Sequence, residues 1–310
     1  KETFFQIQHM ESLKARFNGN TTEFNYHSNY LKKFKKDNPK IYKTLKNKYS
    51  SVQYDPESLR KLYVKNSGVD IHFQTALFLQ FLQKNTGRDS INNGKLLLSL
   101  YNIPKTDNAF FTGEYMVYGN GKKMFYPLNS IDITAHELTH GLVKATAGLE
   151  YVGHSGALNE AFADILGTAF EFWLYNKFNS NDDDSDDIHG EADWLLGEDV
   201  GKTIKYLRNM RDPTNAEQPQ PKMYQGKYWS DPNNESRDYG GVHINSGVPN
   251  KCFYHFSESF GIDKALPIFY NCLIKLGRNS DFIDFRNIIM ECTPNDLRKE
   301  AQKCLDLVGL

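Results

Sequence analysis

The stretch His136-Glu137-Leu138-Thr139-His140, inside "SIDITAHELTHGLVKATAGLEYVG" (130–153), decides how this chain is read. Two histidines four positions apart lie on one face of a helix, about 5–6 Å between Cβ atoms. Two imidazoles placed so can take two corners of a zinc tetrahedron. Glu137 points in an adjacent direction. It is badly placed to ligate the same ion, but it reaches a zinc-activated water and can take its proton as the water attacks a carbonyl. The competing reading is an amphipathic helix that happens to carry two histidines. With nine histidines in the chain, an HExxH pattern arises by chance at roughly the one per cent level. A catalytic zinc also needs a third protein ligand.

Downstream, "GALNEAFAD" (156–164) presents Glu160 on a helix, twenty residues after His140. Asp164 follows one turn later on the same face, and Asn159 is beside it. A carboxylate near a ligating histidine accepts the imidazole's other N–H and fixes its tautomer. Taken alone, Glu160 also reads as a solvated helix residue. Its neighbours Ala161, Phe162, Ile165 and Leu166 make the helix substantially buried, and a buried carboxylate needs a partner. A third cluster is "DYGGVHINSG" (238–247), where Asp238 precedes His243 across a Gly240-Gly241 bend. An aspartate oriented on a histidine sets its protonation or tautomer. Such a histidine can donate to the oxyanion of a tetrahedral intermediate. Standing alone, the cluster would be a loop histidine in a turn.

The rest of the chain frames these clusters. Its 310 residues suffice for two domains or one large one. A net charge of −1 carries no global field toward nucleic acid or membrane. Between Leu31 and Lys48, eight lysines stand against Asp37 alone; such a run is a solvated basic face or a surface for an anionic partner. No apolar run is long enough to span a membrane. The chain starts at Lys1 without a signal peptide, which reads as a matured or excised piece with a leader or pro-segment upstream. Cys252, Cys272, Cys292 and Cys304 form no CxxC pair, so a metal–thiolate site is not expected. Two disulfides and four free thiols stay equally open.

Helical spacing is expected through much of 1–66, with divisions at Asn18-Gly19 and Pro39. "DIHFQTALFLQFLQKNTG" (70–87) is a strong helix ending at Asn85 to Gly87. "GKLLLSLYN" (94–102) and "EYMVYGNGKKMFYPL" (114–128) read as strands, the latter around an Asn120-Gly121 turn. From 156 onward the pattern is mostly helical. It is interrupted by the acidic loop "NDDDSDDIHG" (181–190) and a long Pro-, Asn- and Gly-rich loop over 214–241. The expected fold is α+β: a mixed α/β N-terminal domain and an all-α C-terminal domain, with the HELTH helix between them.

Together these motifs resemble the thermolysin family of zinc metallopeptidases, closely from about Asp70 to Asn250 and more weakly in the tail. "GRDSINNGK", "DNAFFTGEYMVYGNG", "HELTHG", "GALNEAFADILGT", "DWLLGEDV" and "GGVHINSGVPNKCFY" occur in family order, most like the protealysin-type branch. The resemblance implies that His136, His140 and Glu160 bind zinc and that Glu137 is the general base. It makes Asp164 and Asn159 the partners of the two histidines. Tyr151 and His243 would stabilise the tetrahedral intermediate, with Asp238 orienting His243. Asn108 and Ala109 would hold the peptide backbone, and Arg208 would receive a substrate carbonyl. Phe125, Leu128, Ile133, Leu196 and Leu207 fall where the family lines its primed-side pocket, which implies cleavage on the N-terminal side of bulky hydrophobic residues. The family's calcium site maps onto Asp132, Glu171, Asp193 and Glu198, hard oxygen ligands that suit calcium. The acidic loop at 181–190 is a solvated loop or adds a calcium contact.

Two features depart from the family pattern. The basic first 66 residues lack a β-rich opening, and "PLNSIDIT" lacks paired glycines before the active helix. The expected division is therefore 1–66 as an atypical basic segment, 67–147 ending in the HELTH helix, and 148–310 as the helical domain. The leading function is a zinc endopeptidase acting on peptides or proteins, a secreted monomer with its own cleaved pro-segment as inhibitor and no nucleic-acid partner. Rival readings are an inactive binding protein of the same fold, an adhesion or toxin factor acting through the basic segment, and a zinc aminopeptidase. The last would need a carboxylate cluster for a free amine, and none is evident.

Overall fold

A computed structural model of the chain describes residues 67–92, 94, 97–179 and 192–310. The helical reading of the first 66 residues and the acidic loop at 181–190 lie outside the described residues. The chain divides into two compact units, Lys1–Phe73 and Gln74–Leu310. Of the first, only residues 67–73 are described, and they are helical. They open α1 (Ser67–Thr86).

Within the second unit, α1 presents Phe78, Phe81 and Leu82 at helical spacing, all fully buried. The Phe78 and Phe81 rings pack against Phe170 at centroid distances of 5.4 and 5.6 Å. The helix ends as its sequence predicts. Asn85 Nδ2 donates to the Phe81 carbonyl and Thr86 Oγ1 to that of Leu82, satisfying two terminal carbonyls. Gly87 then takes a φ of +73°, the left-handed cap glycine tolerates best.

Three short strands follow: β1 (Ser99–Ile103), β2 (Ala109–Phe111) and β3 (Met116–Gly119). Their order is β1-β3-β2, parallel for β1/β3 and antiparallel for β2/β3. Here the structure corrects the sequence reading. No hairpin forms around Asn120-Gly121, because β3 pairs with β1 and β2 instead. The chain beyond Gly121 keeps only an isolated bridge, Phe125 to Gly201. The cause is Asp107. Its carboxylate accepts the backbone N–H groups of Lys122, Lys123, Met124 and Phe125, so these amides are unavailable to a ladder.

Two helices form the centre. α2 (Ile131–Ala145) is the HELTH helix, and it buries Leu138, Leu142 and Val143 completely, each about 1.5–3 kcal/mol of hydrophobic stabilisation. α3 (Gly153–Asn179) is buried nearly all round from Ser155 to Phe170. The two pack so closely that a Cβ on Gly167 would lie 3.0 Å from the Asp132 carbonyl oxygen. That contact brings α3's Glu160 and Asp164 within reach of α2's histidines.

A two-stranded ribbon, β4 (Leu195–Leu196) with β5 (Arg208–Asn209), places Leu196 opposite Arg208. Five helices complete the chain: α4 (Asp238–Asn245), α5 (Gly247–Phe260), α6 (Ile262–Lys275), α7 (Phe282–Cys292) and α8 (Arg298–Asp306). Phe253, Phe256, Phe269 and Phe285 interlock at their core, with ring centroids 4.9–5.9 Å apart. All four cysteines are free thiols. Among the described residues, no helix is long and apolar enough to cross a membrane.

Candidate active site

Helix α2 delivers His136 and His140 from one face, their Nε2 atoms 3.0 Å apart. Glu160 arrives from α3, with Oε2 3.6 Å from His136 Nε2 and Oε1 3.4 Å from His140 Nε2. Among the described residues this is the one group of three metal-type ligands whose atoms all fall within 4.8 Å of one another. The far sides of both imidazoles are occupied. His136 Nδ1 is 2.8 Å from Asp164 Oδ1, and His140 Nδ1 is 2.8 Å from Asn159 Oδ1. Both partners are acceptors, so each Nδ1 carries a proton and Nε2 is the nitrogen that each ring, when neutral, offers as a ligand. Two lone pairs and a carboxylate then face one another, a donor set that fits zinc.

Charge in this centre is balanced by the chain itself. Burial pushes Glu160 up, but His243, His140, His136 and Arg208 outweigh it and hold its carboxyl well below the usual carboxylate range. Burial pulls His140 down to about 4, keeping it a neutral ligand. Burial lowers His136 too, but Asp164 and Glu160 reverse the shift. Asp164 is the hub: Arg208 Nη2 donates to its Oδ1 at 2.9 Å, Arg208 Nε lies 2.8 Å from its Oδ2, and Asn250 Nδ2 donates to Oδ2 at 2.7 Å. Glu137 is buried, with Oε2 lacking a hydrogen-bond partner. Burial raises it to about 7, against the pull of His136, near the value a general base wants at neutral pH.

Beside the ligands stands a second set of polar groups. Tyr151 Oη donates to Glu160 Oε1 and lies 3.0 Å from His243 Nε2. Asp238 braces His243 twice, accepting from its backbone N–H at 2.9 Å and approaching Nδ1 to 2.6 Å. Burial lowers His243, but Glu160 and Asp238 outweigh it and favour the imidazolium. The bend foreseen at Gly240-Gly241 is present, with φ of +85° and +79°, and α4 continues beyond it. Packing there is tight: a Cβ on Gly156 of α3 would come within 2.4 Å of Val242 Cγ1.

Of the residues expected to hold substrate, Phe125, Leu128 and Ile133 gather in one buried apolar cluster with Val200. Ala109, Ile204 and Leu207 pack against it. Leu196 is fully buried in β4 and reaches this region through its backbone, its carbonyl accepting from Leu207 N–H. Asn108 is exposed beside β2, which is an edge strand among the described residues, although its carbonyl is already taken by Gly119 N–H. Arg208 stands on the Asp164–Glu160 side of the centre with a side chain 12% exposed.

The acidic residues form a separate neighbourhood. Glu171 is pushed up to about 10 by burial and by Asp132, Glu198, Asp193 and Asp199. Burial and the same neighbours, Asp132 foremost, raise Glu198 to about 8. Glu171 Oε2 and Glu198 Oε2 are buried without hydrogen-bond partners. Asp132 Oδ2 accepts from Gly197 N–H and Asp193 Oδ1 from Leu195 N–H. All-oxygen ligands with orphaned carboxylate atoms fit calcium.

Sequence reasoning missed Asn250, Gln220, Asp199 and Tyr239. Gln220 Nε2 donates to the His243 carbonyl at 2.6 Å, and Tyr239 meets Tyr151 edge-on. A buried Asn within the apolar "GVPNKCF" was a usable signal for Asn250, and Asp199 follows Glu198 directly.

Residues 7–144 match the family model described as thermolysin metallopeptidase, catalytic domain, and residues 147–305 match thermolysin metallopeptidase, alpha-helical domain. The first match runs through the basic opening segment. Neutral protease NprE of Bacillus pumilus is 34% identical over 232 residues, covering 73% of this chain and 70% of that protein. Bacillolysin of Bacillus amyloliquefaciens is 34% identical over the same length, but the match covers only 40% of it. The chain thus spans well under half of the bacillolysins it matches. Among solved structures, the precursor of protealysin from Serratia proteamaculans superimposes with a TM-score of 0.66 at 26% identity, over 84% of this chain and 81% of that one.

Proposed function

The chain belongs to the thermolysin family of metallopeptidases, and on that premise we propose that it is a zinc-dependent endopeptidase cutting on the N-terminal side of bulky hydrophobic residues. The observation that carries this reading is the convergence of His136, His140 and Glu160 beside a buried Glu137 raised to about 7. When bound by these three ligands, zinc supplies Lewis-acid polarisation and lowers the pKa of water toward neutrality.

The chain's own groups do the rest. Glu137 takes the proton of the attacking water and returns it to the leaving amine. Tyr151 and the imidazolium of His243 donate to the oxyanion as the carbonyl carbon becomes tetrahedral. Asp238 holds His243 in that state. Asp164 and Asn159 fix the two ligating tautomers. Arg208 braces Asp164 and has donors left over for a substrate carbonyl. Asn108 and Ala109 on edge strand β2 take the peptide backbone as an added strand. The cluster of Phe125, Leu128, Ile133 and Leu207, with Leu196 behind it, receives the apolar side chain after the scissile bond.

The acids Asp132, Glu171, Asp193 and Glu198, joined by Asp199, hold calcium. A calcium-dependent fold suits a secreted enzyme, acting as a monomer and held inactive by its own pro-segment. The working division places 67–147 and 148–310 on either side of the site, with 1–66 as a distinct opening.

The test is metal analysis combined with a blocked peptide bearing Leu or Phe after the scissile bond. Stoichiometric zinc, internal cleavage before that residue and loss of cleavage in Glu137→Ala are the expected results. Undiminished turnover in Glu137→Ala, or after zinc is stripped, sinks the reading.

A further inference from the structure

Four consecutive residues, Asp238 to Gly241, have positive φ. For the glycines this is routine, and a short polar aspartate tolerates it. Tyr239 does not belong to that class. Its φ of 50° and ψ of 37° lie in the left-handed region, where a bulky side chain is an outlier. Nor does burial explain the residue. Tyr239 is 60% exposed, and among the described residues its hydroxyl makes no hydrogen bond. Its one ring contact is edge-on to Tyr151, at a centroid distance of 5.9 Å and an angle of 63°. Tyr151 in turn touches Glu160 and His243. An exposed aromatic held at a conformational cost beside reactive groups is a feature that function, rather than folding, accounts for.

Resting on the endopeptidase reading above, we infer that Tyr239 is a specificity-determining residue: it receives the substrate side chain on the N-terminal side of the scissile bond and favours an aromatic or bulky apolar one. The side follows from how the cleft is built. The apolar cluster for the residue after the bond draws on the loop before α2, the first turn of α2 and the 200–207 segment. Tyr239, Tyr151 and His243 come from the turn before α3 and from α4, and share no residue with that cluster. A peptide whose carbonyl lies between Glu137 and the Tyr151–His243 pair, and whose following residue enters the cluster, sends its preceding residue toward Tyr239. The exposed ring face then offers offset or edge contact to an aromatic side chain.

The experiment compares kcat/KM for blocked peptides with Leu fixed after the bond and Phe or Gly before it, cleavage sites being mapped by mass. Wild type, Tyr239→Asn, Tyr239→Phe and Glu137→Ala are assayed together. Asparagine suits the left-handed backbone, so Tyr239→Asn should melt at or above the wild-type temperature. It is expected to lower the Phe-to-Gly preference by about fivefold, the scale of one aromatic contact, while Tyr239→Phe keeps it. Should Tyr239→Asn fail to fold, Tyr239→Gly provides the same comparison. An unchanged preference overturns the inference, including the case in which all rates fall together, because the ring would then only position Tyr151. If Glu137-dependent cleavage is present but the preference does not move, this inference alone falls. If zinc-loaded wild type cuts neither peptide, the endopeptidase reading falls with it.

Discussion

The zinc-type centre and the acidic neighbourhood are both buried and both rich in carboxylate, yet the chain treats them in opposite ways. Around Glu160 it supplies cationic or protonatable partners, Arg208 and three histidines, and the carboxyl is held ionised. Around Glu171 burial and the charges of Asp132, Glu198, Asp193 and Asp199 act together, and the carboxyl is driven up to about 10. The first centre is organised by its own hydrogen bonds before any ion arrives. In the second, burial and mutual repulsion push the carboxyls toward the protonated form. One region therefore supplies the countercharge for its buried carboxylate, and the other does not.

Four measurements break or sharpen that contrast. The largest effect is expected from Glu137→Ala, which should lower kcat by about 10²–10⁴-fold while zinc content and melting temperature stay near wild type. A loss of zinc in that variant would mean the base also organises the ligands. Next, His243→Ala should reduce kcat by about 10²-fold with little change in KM. A KM effect alone would make His243 a binding residue.

Asp164→Asn probes the self-organised half. It disturbs the His136 tautomer and leaves Arg208 only the more distant Glu160 carboxylate, so zinc affinity in a competition titration should drop about 10–100-fold. Unchanged affinity would show that the hub is dispensable. The smallest effect tests the acidic half. Glu171 and Glu198 have folded values near 10 and 8, against 4.5 for the free side chain. In calcium-stripped protein, the unfolded chain ionises these groups first, so stability is greatest at low pH and falls as pH rises toward those values. The melting temperature under chelation should therefore decline by several degrees from about pH 5 to about pH 9, and the gain on adding calcium should grow over the same range. A flat profile would remove the contrast.

Much of the zinc-type centre was legible because its parts are local. His136, Glu137 and His140 share one helix, Glu160, Asp164 and Asn159 the next, and Asp238 lies five residues from His243. Helical periodicity is enough to relate such positions. The contacts that complete the hub were not legible. Arg208 and Asn250 reach Asp164 from 44 and 86 residues away, and no periodicity reports a meeting between separate elements. Strand β2 was missed because three residues are too few to show an alternation. The Asn120-Gly121 hairpin was expected because that dipeptide is a strong turn signal. Asp107's claim on the following amides overrode it.

That claim has a consequence for how the protein can change. The 122–125 loop beside the apolar cluster is anchored through its backbone, by one carboxylate 15 to 18 residues upstream. Lys122, Lys123 and Met124 point into solvent and contribute no side chain to the anchor. Their identities are thus free to drift, or to be redesigned, without relocating Phe125. Asp107 carries the shape, and its neighbours in space hold a stretch of rewritable surface beside the apolar cluster.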